Sequence, residues 1–346
     1  MIRYILLGVL MALLLTACPS VKVEPTISAT NESVTKSIMI EPEGFIQRIH
    51  DPVIAHEADT YYVFSTGSLI PFICSKDKVV WEFCGRVFQS NPAWTRAINP
   101  NLVDIWAPDI SFFNDQWHLY YAVSSFGSQN SAIGLATNVT LNPESPNYEW
   151  VDQGAVLRSN PGDQWNAIDP NLVLDENGEP WLVWGSFWQG IWMRKIDRST
   201  GQLDGKDSTY HHLADRSTGP DKTSAIEGPF IISHDGKWYL FVSFDQCCQG
   251  VNSTYNVRVG RSDQLTGPYL DRDGVPLTKG GGTLILSAYG QWKGPGHNGV
   301  LFEDGTYWIV YHAYDAKQIG IPKLRIESIS WDADGWPSLS SQAQKP

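Results

Sequence analysis

The chain has 346 residues, of which 12% are aromatic and 18% are charged, and its formal net charge is −12 at pH 7. An acidic chain without a basic stripe cannot neutralise phosphates, which argues against a nucleic acid partner. The aromatic excess, with 15 Trp and 14 Tyr, suits many short β-strands and a surface that stacks on the flat apolar faces of sugars. The negative charge also favours a neutral polymer over a polyanion as the substrate.

The beginning of the chain has the features of an export signal. Arg3 supplies a basic start, and residues 5–15 form an apolar run that is too short to span a bilayer. The run ends in Leu15-Thr16-Ala17-Cys18, which resembles the lipobox of bacterial lipoproteins, where cleavage precedes the lipid-bearing cysteine. In the alternative, an ordinary secretory signal is cleaved near Ala17 and the protein is secreted.

The lipobox reading fixes the organisation of the first 44 residues. It predicts a signal peptide over residues 1–17, a lipid on Cys18, and a flexible Ser/Thr/Glu/Pro-rich tether over residues 18–44. The protein would then be exported and anchored to the bacterial cell envelope through its lipid, as a monomer.

Export permits disulfides, and four cysteines follow Cys18. Cys74 and Cys84 flank a predicted hairpin turn and can pair across it. Cys247 and Cys248 are adjacent, so a bond between them would close a small strained ring. Metal binding is the weaker alternative, because no CxxC pair or His-rich cluster accompanies these cysteines.

The remaining chain contains an internal repeat. Five times a polar marker residue is followed by a small or Pro position, an apolar run, a turn and an aromatic-rich strand, with a period of about sixty residues. Several turns contain Asn-Gly or Asp-Gly steps, which favour hairpins because they accept positive φ, and no sustained helical period accompanies them. The five marker residues are Asp51, Asp109, Asp169, Glu227 and His297.

A unit of this length with about four short strands predicts a propeller blade. The sequence therefore predicts an all-β, single-domain, five-bladed β-propeller over residues 45–346. The innermost strand of each blade lines the central channel and starts at one mouth of it. The five marker residues are thus expected to meet in one depression.

Several carboxyl groups in a depression beside aromatic side chains match the needs of glycoside hydrolysis. One carboxylic acid protonates the leaving oxygen, while a carboxylate activates water or attacks the sugar. Burial and neighbouring negative charge keep one such acid protonated. A strand-start acid can also simply accept bonds from backbone N–H groups, but Asp-Pro twice and Glu-Gly-Pro once at matching positions favour function.

The motifs around these acids resemble those of family 43 glycoside hydrolases. They are His50-Asp51-Pro52, Trp106-Ala107-Pro108-Asp109, Ala167-Ile168-Asp169-Pro170-Asn171 and Ala225-Ile226-Glu227-Gly228-Pro229. The resemblance implies a five-bladed propeller that inverts configuration while cutting arabinan, arabinoxylan or xylosides. It implies that Asp51 is the general base, Glu227 the general acid, and Asp169 the residue that tunes and orients Glu227. Asp109 is read as structural, because the family gives it no catalytic role.

Two further segments are similar to those of the endo-1,5-α-L-arabinanases of that family. Ser243-Phe244-Asp245-Gln246-Cys247-Cys248 resembles their adjacent-cysteine segment, and Gly294-Pro295-Gly296-His297-Asn298 resembles a loop whose His holds a calcium-bearing water cluster. The resemblance implies arabinan as the substrate, no cofactor for the chemistry, and a possible Ca²⁺ near His297. In the alternative, His297 hydrogen-bonds the catalytic acids without a metal, since Ca²⁺ prefers several oxygens.

Substrate contacts are expected from polar and aromatic residues next to the acids and in nearby loops. These candidates are His50, Trp94, Trp106, Phe126, Trp165, Asn166 and Ser186.

Three rival functions remain open at this stage. An exo-acting α-L-arabinofuranosidase or β-xylosidase would use the same fold and release monosaccharide from chain ends. A fructan hydrolase would retain configuration and usually begins with Asn-Asp-Pro-Asn, where this chain has His50-Asp51-Pro52. A non-catalytic glycan-binding surface lipoprotein would not need all three acids.

Overall fold

The computed structural model describes residue 1 and residues 37–344. Cys18, the predicted signal peptide and most of the predicted tether therefore lie outside the described residues. No helix in the described part is both long and apolar enough to cross a membrane.

Five antiparallel blades account for the predicted five-bladed propeller. The strands of blades one and two are Val53–Glu57, Thr60–Phe64, Pro71–Ser75, Val80–Arg86, Trp106–Phe113, Gln116–Val123, Ser131–Asn138 and Val151–Ser159. Those of blades three and four are Asn171–Leu174, Pro180–Trp184, Ile191–Lys195, His211–Ala214, Ile226–His234, Lys237–Phe244, Asn256–Ser262 and Thr283–Leu286. Blade five contains Trp292–Glu303, Thr306–Asp315 and Ile321–Ser328, with Met39–Ile40 as its outer strand.

The helices in the described part are short 3₁₀ turns between strands. They are Ala93–Ala97, Gly250–Asn252, Leu277–Lys279, Ala316–Gln318 and Ser340–Gln344. Ser330–Trp331 and Pro337–Ser338 form a small separate ladder after blade five.

The hydrophobic core lies between the blades rather than at one centre. The strands carry alternating or continuous apolar side chains, and these bury both faces of each sheet against the neighbouring sheets. Phe64 of blade one packs in one cluster with Leu119 of blade two, and Trp184 of blade three joins Tyr120 of blade two in another. Similar clusters join blades three and four, four and five, and five and one. This packing fixes the inner strands side by side around the channel.

Residues near the start of the propeller close the ring. Met39–Ile40 pairs antiparallel with Ile321–Ser328 in blade five, and Glu43–Gly44 adds a parallel strand to blade one. Both guanidinium Nη atoms of Arg325, whose side chain is only 2% exposed, lie 2.8 Å from the carboxylate of Glu41. The predicted boundary between tether and propeller at residues 44 and 45 was therefore too late, because backbone pairing and this ion pair begin earlier.

Candidate active site

A cavity of about 570 Å³ lies where the inner strands begin. Nine of the residues proposed from the sequence line it: His50, Asp51, Trp106, Phe126, Asn166, Asp169, Ser186, Glu227 and His297. The three acids that the sequence assigned to catalysis therefore meet in one depression, although each lies on a different blade.

The backbone has the same kink near the start of each inner strand. Each blade has a residue with a positive φ here, and these residues are Asp51 (49°), Ala107 (41°), Asp169 (55°), Gly228 (56°) and His297 (50°). Left-handed backbone is costly for residues other than glycine and persists where the surrounding structure holds it. The repetition of the kink identifies the equivalent positions of the five blades.

The marker residues assigned to blades two and four were wrong by one or two positions. The equivalent residues are Ala107 and Gly228, so Glu227 lies one residue before the kink and Asp109 lies two residues after it. Glu227 still reaches the cavity, because the residue before the kink also faces the channel mouth.

Asp109 links blades two and three. Its side chain is buried and accepts hydrogen bonds from the backbone N–H of Leu172 (2.7 Å) and from the Asn171 side chain (3.3 Å). Burial raises the pKa of Asp109 to about 7, despite these hydrogen bonds. These contacts agree with its structural interpretation.

Hydrogen bonds between the kinked residues and the neighbouring blades stabilise the kinked backbone. The N–H groups of four kinked residues each donate to a side chain of the preceding blade, which offsets the cost of the positive φ. The pairs are Asp51 with His312 Nδ1 (3.1 Å), Ala107 with Thr66 Oγ1 (2.8 Å), Gly228 with Asp169 Oδ2 (3.1 Å) and His297 with Ser243 Oγ (2.8 Å).

Three side-chain donors surround the carboxyl group of Asp51. Nδ1 of His50 lies 2.8 Å and Nδ1 of His297 lies 3.1 Å from Oδ1, while Oγ1 of Thr66 donates to Oδ2 at 2.6 Å. Burial by itself would raise the pKa of Asp51, but the charges and hydrogen bonds of His50 and His297 lower it well below its ordinary value. Asp51 is thus held ionised, as a general base must be.

Two hydroxyl groups fix the carboxyl group of Glu227. Ser186 Oγ donates to Oε2 at 2.7 Å, and Tyr255 Oη donates to Oε1 at 2.8 Å. Tyr255 is buried, and Gly296 makes room for its ring, since a Cβ there would overlap the ring carbons. Ser186 therefore holds Glu227 in place, a contact that the sequence had not anticipated for this substrate-binding candidate.

Asp169 completes the acidic cluster. Burial, together with the negative charges of Glu227 and Asp51, raises its pKa to about 8, against the opposing charge of His297. Its Oδ2 accepts the N–H of Gly228, the residue directly after Glu227, and so ties the two acids together. Near neutral pH, the acidic cluster around Asp169 therefore retains a proton.

His297 offers little to a calcium ion. Nδ1 faces Asp51, which leaves Nε2 as the available nitrogen. Burial lowers the pKa of His297, but the charge and hydrogen bond of Asp51, followed by the charges of Asp169 and Glu227, raise it to about 9. Ca²⁺ takes six to eight oxygens, and the triads of possible metal ligands in the described part do not include His297. The described side chains alone therefore supply too few oxygens for Ca²⁺.

Two aromatic candidates do not reach the cavity. Trp94 packs against the cluster between blades one and two, and its Nε1 donates to Asp152 at 3.2 Å. Trp165 stacks on Tyr210 with ring centroids 4.7 Å apart. Both half-buried rings pack against core clusters and do not line the cavity, and their contact with sugar stays a prediction. Phe126 stands at the cavity with 84% of its surface exposed.

Several residues of the site were missed by sequence reasoning. They are Thr66, Phe187, Trp188, Tyr255 and His312. A signal existed for Thr66, since a Ser or Thr stands within two residues of the end of the second strand in blades one, three and four, at Thr66, Ser186 and Ser243. Tyr255 and His312 carry no such local signal.

Both cysteine pairs are bonded. Cys74–Cys84 joins the outer strands of blade one, and Cys247–Cys248 joins adjacent residues at the cavity wall.

Comparison with known proteins agrees with this geometry. The model of the glycosyl hydrolases family 43 matches residues 45–337. The extracellular exo-α-(1→5)-L-arabinofuranosidase ArbA of Cellvibrio japonicus is 41% identical over 302 residues, covering 85% of this chain and 87% of that protein. The extracellular endo-α-(1→5)-L-arabinanase 1 of Bacillus subtilis is 42% identical over 295 residues, covering 84% and 87%.

Solved structures resemble the chain over a similar range. The structure of Cellvibrio cellulosa α-L-arabinanase complexed with arabinohexaose has a TM-score of 0.80 and 40% identity, and the match covers 84% of this chain and 94% of that one. With the family model matched over most of the chain, the chain belongs to family 43 of the glycosyl hydrolases.

Proposed function

We propose that the protein hydrolyses α-1,5-linked L-arabinofuranosyl bonds within arabinan, with inversion of configuration. The observation that carries the proposal is the electrostatic contrast inside one cavity. Asp51 is held ionised by its donors, while the acidic cluster around Asp169, next to Glu227, retains a proton near neutral pH. A base and an acid of this kind are what an inverting glycosidase needs at the same pH.

In this mechanism Asp51 takes a proton from a water molecule, and the water attacks the anomeric carbon on the face opposite the leaving group. Glu227 gives a proton to the glycosidic oxygen as the bond breaks. Asp169 acts on Glu227 through its charge and through the Gly228 N–H. The reaction needs two carboxyl groups and water, with no cofactor.

Arabinan as the substrate rests on the site and on the relatives together. The cavity combines aromatic walls, including Trp106 and Phe126, with polar groups of Asn166 and His50, which suits a neutral sugar. The names of the two relatives above describe enzymes that act on α-1,5-linked L-arabinose, and one structural neighbour is a complex with arabinohexaose.

Exo action on the same linkage is the second candidate, because an exo-acting and an endo-acting relative match the chain at 41% and 42% identity. Product length separates the two. With linear debranched arabinan, endo action should give a ladder of oligosaccharides and a rapid loss of viscosity early in the reaction. A single short product from the first time points, with slow loss of viscosity, would establish exo action instead.

Absence of new reducing ends would contradict the enzyme proposal altogether. A Glu227→Gln variant is the matched control, because it keeps the shape of the acid but cannot donate the required proton. If the wild type and this variant both bind arabinan and neither releases reducing ends, the function would be glycan binding rather than catalysis.

We also propose that the protein is exported and anchored to the cell envelope through a lipid on Cys18, where it acts as a monomer. The support is the lipobox-like sequence before Cys18 and the word extracellular in the names of two relatives. Labelled palmitate should enter the wild type but not Cys18→Ser, and the variant should leave the membrane fraction. A wild type that is unlabelled and soluble would contradict the anchor.

A further inference from the structure

A continuous chain of hydrogen bonds joins the cavity-wall disulfide to Asp51. The N–H of Cys248 donates to Tyr314 Oη at 2.7 Å, and Tyr314 Oη lies 2.8 Å from His50 Nε2. His50 Nδ1 lies 2.8 Å from Asp51 Oδ1. Three contacts in series thus connect residues that are nearly two hundred positions apart in sequence, since Cys248 and His50 are separated by 198 residues.

The direction of the hydrogens follows from the end groups. An ionised carboxylate only accepts, so Nδ1 of His50 carries the hydrogen that faces Asp51. The Tyr314 hydroxyl accepts from the Cys248 N–H and forms the hydrogen bond with Nε2 of His50. Each group in the chain therefore sets the orientation of the next.

The Cys247–Cys248 disulfide restrains the first donor of this chain of hydrogen bonds. A bond between adjacent cysteines closes a small ring that contains the peptide bond joining them. That peptide bond supplies the Cys248 N–H, the first donor of the chain. The same segment is braced by the N–H groups of Thr254 and Tyr255, which donate to Gln246 O at 2.9 and 3.1 Å.

We propose that the Cys247–Cys248 ring and Tyr314 are positioning residues for the general base. They hold the His50 imidazole in the orientation that presents Asp51 to the attacking water. This role rests on the catalytic function proposed above for Asp51.

The placement of Tyr314 makes the proposal testable apart from substrate binding. Tyr314 is buried and does not line the cavity, so a Tyr314→Phe variant removes the hydroxyl without removing a wall of the cavity. We expect kcat on linear arabinan to fall by about 2- to 13-fold, the kinetic equivalent of one net hydrogen bond, with KM unchanged. The paired Cys247→Ser/Cys248→Ser change should lower kcat by a similar factor.

Combining the two changes gives the decisive result. Changes to residues that act through shared contacts are not additive, and Cys248 Sγ also lies 3.9 Å from His50 Nε2, so the triple variant should lose much less kcat than the product of the two separate losses. Cys74→Ser/Cys84→Ser is the matched control, since it removes the other disulfide from blade one, outside the cavity, and should leave kcat and KM unchanged.

A Tyr314→Phe variant with wild-type kcat, or losses that simply multiply in the triple variant, would overturn the proposal. If the cavity-wall serine variant does not fold, a phosphine reductant replaces it in the Cys74→Ser/Cys84→Ser background. Reduction should then lower kcat more when Tyr314 is present than in the Tyr314→Phe protein, and equal losses in both would contradict the proposed coupling. A wild type without activity on arabinan would contradict the proposed function instead.

Discussion

The proton retained by the acidic cluster should set the alkaline limit of activity, and Asp169→Asn tests this. The change keeps the shape of the side chain and removes one negative charge beside Glu227. With less negative charge nearby, the remaining proton is lost more easily. The alkaline limb of the kcat/KM profile should therefore move to lower pH.

The size of the movement follows from the charges in the cavity. The Glu227 charge is among those that raise the pKa of Asp169 to about 8, so the wild-type limb is expected near that pH. Two like charges about 5 Å apart, at an effective dielectric constant of about 20, repel by roughly 3 kcal/mol. Because one pH unit corresponds to about 1.4 kcal/mol, the limb should move down by about two pH units.

Initial rates of reducing-end release from linear arabino-oligosaccharides, measured from pH 5 to pH 9, provide the assay. Asp109→Asn is the matched control, because Asp109 also has a pKa raised by burial, to about 7, but bonds to blade three rather than to the cavity acids. It should lower stability and leave the limb in place. An unmoved limb in Asp169→Asn, or a moved limb in Asp109→Asn, would refute the assignment of the retained proton.

Three other substitutions have separable outcomes. Glu227→Ala should lower the rate on arabinan by about 10²- to 10⁴-fold, yet affect aryl arabinosides with good leaving groups far less; equal losses on both would exclude Glu227 as the acid. Asp51→Ala should reduce activity severely on every substrate, because it removes water activation, so a loss limited to poor leaving groups would contradict its role as base. Glu41→Gln should lower the free energy of unfolding by about 1–3 kcal/mol, since the buried Arg325 loses its ionised partner, with kcat unchanged. A denaturant midpoint equal to that of the wild type would show that this ion pair does not hold the ring closed.

The repeat in the sequence was enough to predict the five blades and the meeting of the acids. Asp51 and Asp169 each precede a proline in a repeated setting, and both occupy the kinked position. The match was less accurate in blades two and four, where Ala107 and Gly228 take that position. Residues of several types can adopt a left-handed backbone conformation. A polar residue in the sequence therefore could not identify the kinked position in blades two and four.

The partners of the acids were harder to predict than the acids themselves. His312 lies on the second strand of blade five and contacts Asp51 only because blades five and one pack side by side. Tyr255 directly precedes the third strand of blade four and contacts Glu227 within that blade. Trp165 lies close to Asp169 in sequence, yet its half-buried ring packs against the core cluster between blades two and three and does not line the cavity.

The stereochemistry of the first product tests the central claim most directly. Proton NMR spectra recorded during the first turnovers on an α-1,5-linked arabino-oligosaccharide report the anomeric form of the new reducing end. If Asp51 activates water while Glu227 protonates the leaving oxygen, the β-anomer should appear first and then equilibrate. Initial appearance of the α-anomer would mean retention of configuration and would contradict the role of Asp51 as general base.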